Sequence, residues 1–549
     1  MNYVVVNIKS GGKPISAAYG LLYIDIKTEY NRIPYAELGF IDGDMATLEY
    51  KISESADFEP GKEIEIALGY SDTKNQPTVF KGIVLKQSLQ FNSTGCTLIV
   101  ELSDAAVKMT SSRKSNVYEN IKDDAVIRKL VANSGLAAGA VDATTVQHEK
   151  IVQYAATDWD FMLSRAEANG LLVSVRNGVL SAKTPLLEGM PVATYKFGID
   201  EVYDFHFEAD ARYQYAEISG TSWDIKNQQL ANLVQAKNFD LKQGNFNAAS
   251  IAKSVGGNSE LLLSATVLQA NEAQAWVNSK MTKTRLSMLR GRFKVPGNAA
   301  INAGSLIQIS GVGKRFSGQT LVTGVHHAYN ANGWVTDIQF GLSADWFTSK
   351  PDVTYTKAAG LVPGVNGLQV GIVQKWEADP AKENRVKVML PSINKNAAVW
   401  SRLATPSAGN NAGIFFQPEP GDEVILGFLN DDPRQPVILG SVHSSHNPSP
   451  LKPADKNPEK GIVTKGGIKI LLNDENKTLT IQTSEKNTIV INEKDKIIEM
   501  KDANNNTVKL SADGITLDSG KDIIIKSKGG IKMQASAKVE IKGAEIDIT

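Results

Sequence analysis

The residue types best suited to chemistry in this chain are six histidines, His148, His206, His326, His327, His443 and His446, and one cysteine, Cys96. His326-His327, near Asp337, would suit acid–base work. Adjacent residues on an extended strand project to opposite faces, however, so the two imidazoles cannot readily share one site. His443 and His446 flank Ser444 and Ser445, but no Gly-x-Ser-x-Gly elbow accompanies them and the stretch reads as a surface turn. Gly311-Val312-Gly313-Lys314-Arg315 has the glycines and lysine of a phosphate loop without its four-residue gap or the hydroxyl residue after the lysine. It reads as a hairpin turn. Cys96 follows Gly95 in a strand pattern and reads as a small packed side chain rather than a nucleophile; alone, it forms no internal disulfide. Asp431-Asp432-Pro433-Arg434 is a turn that either pairs charges between chains or stays solvated. With no Cys/His spacing of the structural-zinc kind, the expectation is no catalytic residue, no metal, no cofactor and no enzyme.

The surrounding composition narrows the class further. The chain has 549 residues, 59 Lys+Arg against 59 Asp+Glu, and 42% hydrophobic residues. That length implies several domains, each able to bury a core. Zero formal charge argues against a general nucleic-acid binder, whose affinity would rest on surplus cations. The N-terminus, Met1-Asn2-Tyr3-Val4-Val5-Val6, lacks a basic region followed by a long apolar run, and no stretch approaches the ~18 apolar residues of a membrane span. Synthesis in the cytoplasm without a signal peptide is expected.

Residues 1–115 alternate apolar and polar positions, as in Glu63-Ile64-Glu65-Ile66-Ala67-Leu68, the period-two pattern of half-buried strands and of a first β-barrel. Within 116–199 the period changes. Helices are expected at 123–130 and 156–166, the latter capped by Thr157 or Asp158 and closed by Gly170, with a strand at 171–175. Residues 200–350 return to strands around one helical window, 271–289, as a second barrel. A connector at 351–367 leads to short strands at 369–373, 385–390, 423–428 and 436–440, so 368–443 suits a small barrel of the oligonucleotide/oligosaccharide-binding (OB) kind. Residues 444–465, rich in Ser, Pro, Asn and Lys, read as a linker.

The tail, 466–549, is the most regular segment. Apolar pairs recur every eight residues at Ile515/Leu517, Ile523/Ile525, Ile531/Met533 and Val539/Ile541, and Ile546/Ile548 closes the series one residue early. Looser copies precede them at Ile468/Ile470, Leu479/Ile481, Ile489/Ile491, Ile498/Met500 and Val508/Leu510. Each unit offers one short strand with a narrow apolar edge, too little for a core within one chain. Leaving such side chains in water costs roughly 1.5–3 kcal/mol each relative to burial. An intertwined trimeric β-prism, with these ten pair residues of the strict octads and the terminal unit on a shared axis, satisfies both the backbone and the side chains; a single-chain β-solenoid is the alternative.

At this point the chain resembles the VgrG (valine-glycine repeat) spike proteins of contractile injection systems, and is similar to the fused hub and spike of contractile phage tails. The resemblance rests on 154–171, on Gly297-Asn298 through His326-His327 and Gly333-Trp334-Val335-Thr336, and most specifically on Trp400-Ser401-Arg402, Pro420-Gly421-Asp422-Glu423-Val424 and 432–441, in order with the octads. It implies a mainly β chain: two hub β-barrels with inserted helices, an OB-fold neck and the prism. It further implies a homotrimer whose six barrels match a sixfold inner tube, and which pierces the target envelope when the sheath contracts. Inner tube and baseplate proteins, a PAAR-like tip protein at the C-terminal end, and effector cargo are the implied partners; nucleic acid is not. Contractile particles release or deliver such spikes outside the cell. The family's occasional lysozyme domain before the prism has no counterpart here, and no effector domain is expected beyond it. All six histidines precede the prism, so an iron-bearing tip is not expected.

Two other classes fit parts of the pattern. A trimeric adhesin or receptor-binding fibre would also be a β-rich trimer, although its large domains more often lie distally. A glycan-acting enzyme on a β scaffold would need paired carboxylates in a cleft.

Overall fold

The computed structural model describes residues 3–44, 47–73, 76–93, 95–396 and 398–548. Met1, Asn2 and Thr549, the ends of the segments read above, lie outside the described residues. The chain forms two compact units, Met1–Thr356 and Lys357–Thr549.

In the first unit, alternation produces strands β1 (Val4–Ser10), β2 (Gly20–Glu29), β3 (Tyr35–Ile41), β4 (Glu63–Tyr70), β5 (Thr78–Asn92) and β6 (Gly95–Ser103). Much later in the chain follow β7 (Asp204–Ala209), β8 (Leu289–Pro296), β9 (Leu306–Ser310), β10 (Gly318–Asn330) and β11 (Gly333–Phe340). Inward residues of β2, β3, β4 and β6, among them Ile24, Leu38, Ile64 and Val100, make one core. Phe293, Ile307, Val322 and Ile338 make a second. The two stretches read as separate barrels share a single thirteen-stranded sheet, in the order β7-β8-β11-β10-β2-β3-β6-β5-β4-β1 along its main path. The seam is the antiparallel pairing of β10 with β2, from Gly324↔Glu29 to Tyr329↔Ile24.

Between the two stretches lies a helical insertion. Helix α1 (Asp123–Asn133) extends beyond the expected 123–130, and α2 (Asp158–Ala168) starts where Thr157 Oγ1 accepts the Asp160 N–H at 3.0 Å. The end of α2 is a Schellman motif: Gly170 at φ +70° donates to Glu167 O, and Leu171 to Ala166 O. Helix α3 (Ala270–Leu286) matches the 271–289 window and packs on Glu217–Asp224. A buried carboxylate, Asp123, ties the insertion together. It accepts from Arg165 Nε at 2.7 Å and Asn169 Nδ2 at 2.8 Å, and lies 2.9 Å from His148 Nε2. Burial alone would raise its pKa; the Arg165 hydrogen bond and charge outweigh that and hold it below the usual range.

The second unit opens with a closed five-stranded barrel: β12 (Gln369–Val373), β13 (Val386–Met389), β14 (Ala398–Leu403), β15 (Glu423–Phe428) and β16 (Pro436–Ser441). Its core is Val373, Val386, Val388, Leu390, Val424, Leu426 and Ile438. Periodicity missed β14, because polar Ser401 interrupts its inward face between Val399 and Leu403 while the large apolar Trp400 falls on the other face.

A seven-stranded antiparallel meander follows: β17 (Glu459–Val463), β18 (Lys469–Asn473), β19 (Thr478–Gln482), β20 (Thr488–Asn492), β21 (Ile497–Lys501), β22 (Thr507–Ser511) and β23 (Gly514–Asp518). Two expectations change here. The stretch read as a linker to Lys465 already contains β17, paired with β18 through Ile462↔Ile470. The first apolar pair is Ile470/Leu472, not Ile468/Ile470, since Ile468 precedes the strand. The connections alternate between 474–477 and 483–487, then 493–496 and 502–506, so the unit is a hairpin. Lys477, Lys486, Lys496 and Asn505 take positive φ in these turns. Asn487 Oδ1 accepts the Ala503 N–H and Asn506 Oδ1 the Gly520 N–H, stitching each turn to the next along one edge. Beyond Asp518 no strand occurs among the described residues, although each octad was expected to supply one. An eight-residue period leaves too few connecting residues for the turns that close the meander within one chain.

Replacing Asp123 with Ala strips the half-buried Arg165 guanidinium and the buried His148 of their shared partner and should cost about 3 kcal/mol. Calorimetry of the full chain should show a transition shifted to lower temperature; an unchanged scan would contradict the tying role of this carboxylate.

Candidate functional site: an open apolar face and a charged seam

Strand pairing in the meander aligns its apolar residues. Ile470 faces Ile481, Leu479 faces Ile491, Ile489 faces Met500, Ile498 faces Leu510, and Val508 faces Leu517. Because side chains alternate across a sheet, all of these share one face. The opposite face carries residues such as Thr480, Gln482, Asn492, Glu499 and Lys509. An antiparallel sheet ordinarily buries its apolar face and solvates its polar one. Here, within one chain, the apolar face is open: Ile470 is 37% exposed, Ile489 39% and Met500 46%.

The ten residues expected on an axis divide at Asp518. Ile515 and Leu517 lie on β23 and extend the meander's apolar face. Ile523, Ile525, Ile531, Met533, Val539, Ile541, Ile546 and Ile548 follow the last ladder and are all exposed, Ile548 at 88%. The single chain brings none of these eight together.

The histidine pair behaves as strand geometry requires. His326 Nε2 points outward, 2.6 Å from Asp25 Oδ2 across the β10–β2 seam. His327 points inward, buried, with Nδ1 3.0 Å from Thr336 Oγ1. Opposite His326 on β11 stands Asp337, which takes Arg292 Nη1 at 3.1 Å while its Oδ1 has no protein partner. Burial would raise Asp25, but the hydrogen bond and charge of His326, with Lys27, hold it below the usual carboxylate range. Burial pushes Asp337 up, against the pull of Arg292 and Lys294. These groups lock the seam; the two imidazoles serve opposite faces. The alternation in Asp25-Ile26-Lys27 marks outward positions, but nothing local identifies a partner strand three hundred residues away.

Elsewhere, His443 and His446 are exposed beyond β16, and Cys96 is buried. Gly311 to Arg315 joins β9 to β10, with the Gly311 backbone against Phe197 O, where a Cβ would stand at 2.4 Å. Asp432 is satisfied within its own turn, its two oxygens taking Arg434 Nε at 3.0 Å and Nη2 at 2.7 Å. Among the described residues, no group of three or more His, Cys, Asp or Glu side chains is arranged to hold a metal, and no helix is long and apolar enough to cross a membrane.

Burial lowers the pKa of His327 from 6.5 to about 3. Between those values the unfolded chain binds the proton that the folded chain refuses, so the stability present above the window is lost as pH falls through it. His327→Gln should therefore melt with a smaller loss between about pH 7 and about pH 4.5 than the parent; equal losses would show that His327 stays protonatable in the fold.

Two protein families match parts of the chain. Residues 1–331 match the family described as the Alg8 N-terminal domain, and residues 369–443 match the type VI secretion system/phage-baseplate injector OB domain. Vibrio cholerae spike protein VgrG3 is 34% identical over 106 residues, 18% of this chain and 10% of that protein. Pseudomonas aeruginosa spike protein VgrG1b is 27% identical over 222 residues, 37% of this chain and 30% of its own length. The chain thus spans under a third of either relative. Among solved structures, a 43 kDa prophage MuSo2 tail protein from Shewanella oneidensis superposes with a TM-score of 0.47 at 12% identity, over 62% of this chain and 98% of that one. With a family match over more than half its length, the chain belongs to the Alg8 N-terminal domain family, and its injector OB domain and matched segments are similar to the VgrG spike proteins.

Proposed function

We propose that this chain is the homotrimeric central hub and spike of a contractile injection system, adapting a threefold spike to a sixfold inner tube and piercing the target envelope when the sheath contracts. Three copies, each with two barrel cores, form a ring of six pseudo-equivalent barrels; residues 368–443 form the neck; residues 466–549 form the shaft. The observation that supports this best is the open apolar face of the meander, continued by an octad column with no ladder of its own. Two further copies supply both the missing apolar contacts and the missing backbone partners.

In this reading the octad pairs from Ile515/Leu517 to Ile546/Ile548 line the trimer axis. The role is mechanical, not enzymatic. Inner tube and baseplate proteins contact the hub, a PAAR-like tip protein covers the far end of the shaft, and effector cargo travels with the particle. Stiffness then arises from ladders shared between chains, since bending the shaft breaks several at once.

Light scattering on the full chain should report the mass of a trimer, and on a chain truncated before Lys465 a weaker trimer or a monomer. Stable monomers in both would overturn the shared axis. Ile525→Asp places three carboxylates at one level of that axis and should abolish or weaken trimerisation; a mutant trimer that melts like the parent would refute it.

A further inference from the structure

The two halves of the large sheet repeat one another strand for strand. β5 pairs with β4 up to Ile83, passes a bulge between Val84 and Lys86, and ends with Asn92 opposite Gly95. β10 pairs with β9 up to Leu321, passes a bulge between Val322 and Gly324, and ends with Asn330 opposite Gly333. From these matched landmarks β6 corresponds to β11, β3 to β8 (Leu38↔Val100 beside Phe293↔Ile338), and β2 to β7 (Ile24↔Leu38 beside Phe205↔Phe293).

The halves differ in what their edges meet. After its bulge, β10 zips onto β2, so that Ile24 and Ile26 lie opposite Tyr329 and His327. Ile24 is then 1% exposed and Ile26 fully buried. The corresponding stretch of β5, residues 86–91, pairs with β6 on one side and with no strand among the described residues on the other. β7, the counterpart of β2, is likewise the last strand of the path. Apolar residues stand open on both edges: Phe205 at 53%, Phe91 at 67% and Leu89 at 47%.

We propose that copies of this chain join by antiparallel pairing of β7 of one copy with residues 86–91 of the next, repeating between chains the seam that β10 and β2 make within one. It rests on the trimer proposed above and states which edges close its hub. Transferring the internal register sets Phe205 opposite Phe91, His206 opposite Gln90, Phe207 opposite Leu89, and Glu208 opposite Ser88. The aromatic and aliphatic residues then fall on the core side and the polar ones on the other, as at the internal seam, where Asp25 and His326 face outward. Donor and acceptor edges differ, so the contact is head-to-tail and closes a ring. Both loose edges, otherwise templates for uncontrolled pairing, are consumed.

Paired cysteines test this in the full chain. Because Phe91 lies directly opposite Cys96 on β6, the background carries Cys96→Ala. Gln90→Cys with His206→Cys, and separately Phe91→Cys with Phe205→Cys, sample both kinds of antiparallel pair. On mild oxidation at least one should convert the single-chain band into two- and three-chain bands. Gln90→Cys with Glu208→Cys, a diagonal pair roughly 7–8 Å apart, should not. Light scattering on the same samples separates the failures: a trimer mass without cross-linking in either pair overturns the edge pairing and leaves the trimer standing, whereas a monomer mass overturns both. Phe205→Glu provides a second reading without cysteines, since the half-exposed ring lies at the edge. It should shift dissociation to higher protein concentration; an unchanged dissociation profile overturns the pairing.

Discussion

Unsatisfied backbone at the edge of a sheet is the constraint on which this structure turns. Every strand end must hand its N–H and C=O groups to water, to a covering segment or to another strand. Inside the first unit the problem is solved at the β10–β2 seam, where two half-sheets become one. The small barrel solves it by closure. The meander solves it only laterally: its strands pair with each other, but its apolar face stays open. Among the described residues, the octad tail beyond Asp518 has neither ladder nor cover within one chain. Along the polypeptide, self-sufficiency therefore falls from the closed barrel to the tail.

The ionic groups of the first unit serve this same joining of segments. The ionic groups, buried Asp123 with Arg165 and His148, and half-buried Asp25 with His326, sit where separate segments of chain meet and pair across those segments. Groups held this way set register and orientation. Asp337 keeps one oxygen without a protein partner, among cations that favour its charge.

Much of the fold could be read from local pattern because local pattern is what burial acts on. Ile64, Ile66 and Leu68 alternate with Glu63 and Glu65 and are buried as that alternation requires; Thr157 caps α2 because its hydroxyl is within reach of the Asp160 N–H. The readings that changed share a different cause. β14 breaks the usual alternation, with Ser401 inside between Val399 and Leu403 and Trp400 on the other face. β17 hides among Pro, Lys and Asn because an edge strand needs only Ile462 against Ile470 to be placed. The shared sheet was illegible because Asp25 and His326 are joined by topology, not by spacing. For the octad residues, the sequence shows which side chains repeat, and within one chain they are exposed.

The seam also bears on the order in which the molecule is made. The outer edge of β2 is complete once residue 29 leaves the ribosome, yet its partner strand ends at Asn330. Throughout that interval the first core carries an open, apolar-sided edge, the kind of surface on which nascent chains misassociate. Long-range pairing of this sort folds slowly, because loop closure must precede the contacts that reward it. The helical insertion, whose contacts are mainly local, can organise during the wait and shorten the effective loop. Chaperone demand during synthesis should thus concentrate between the emergence of β2 and that of β10.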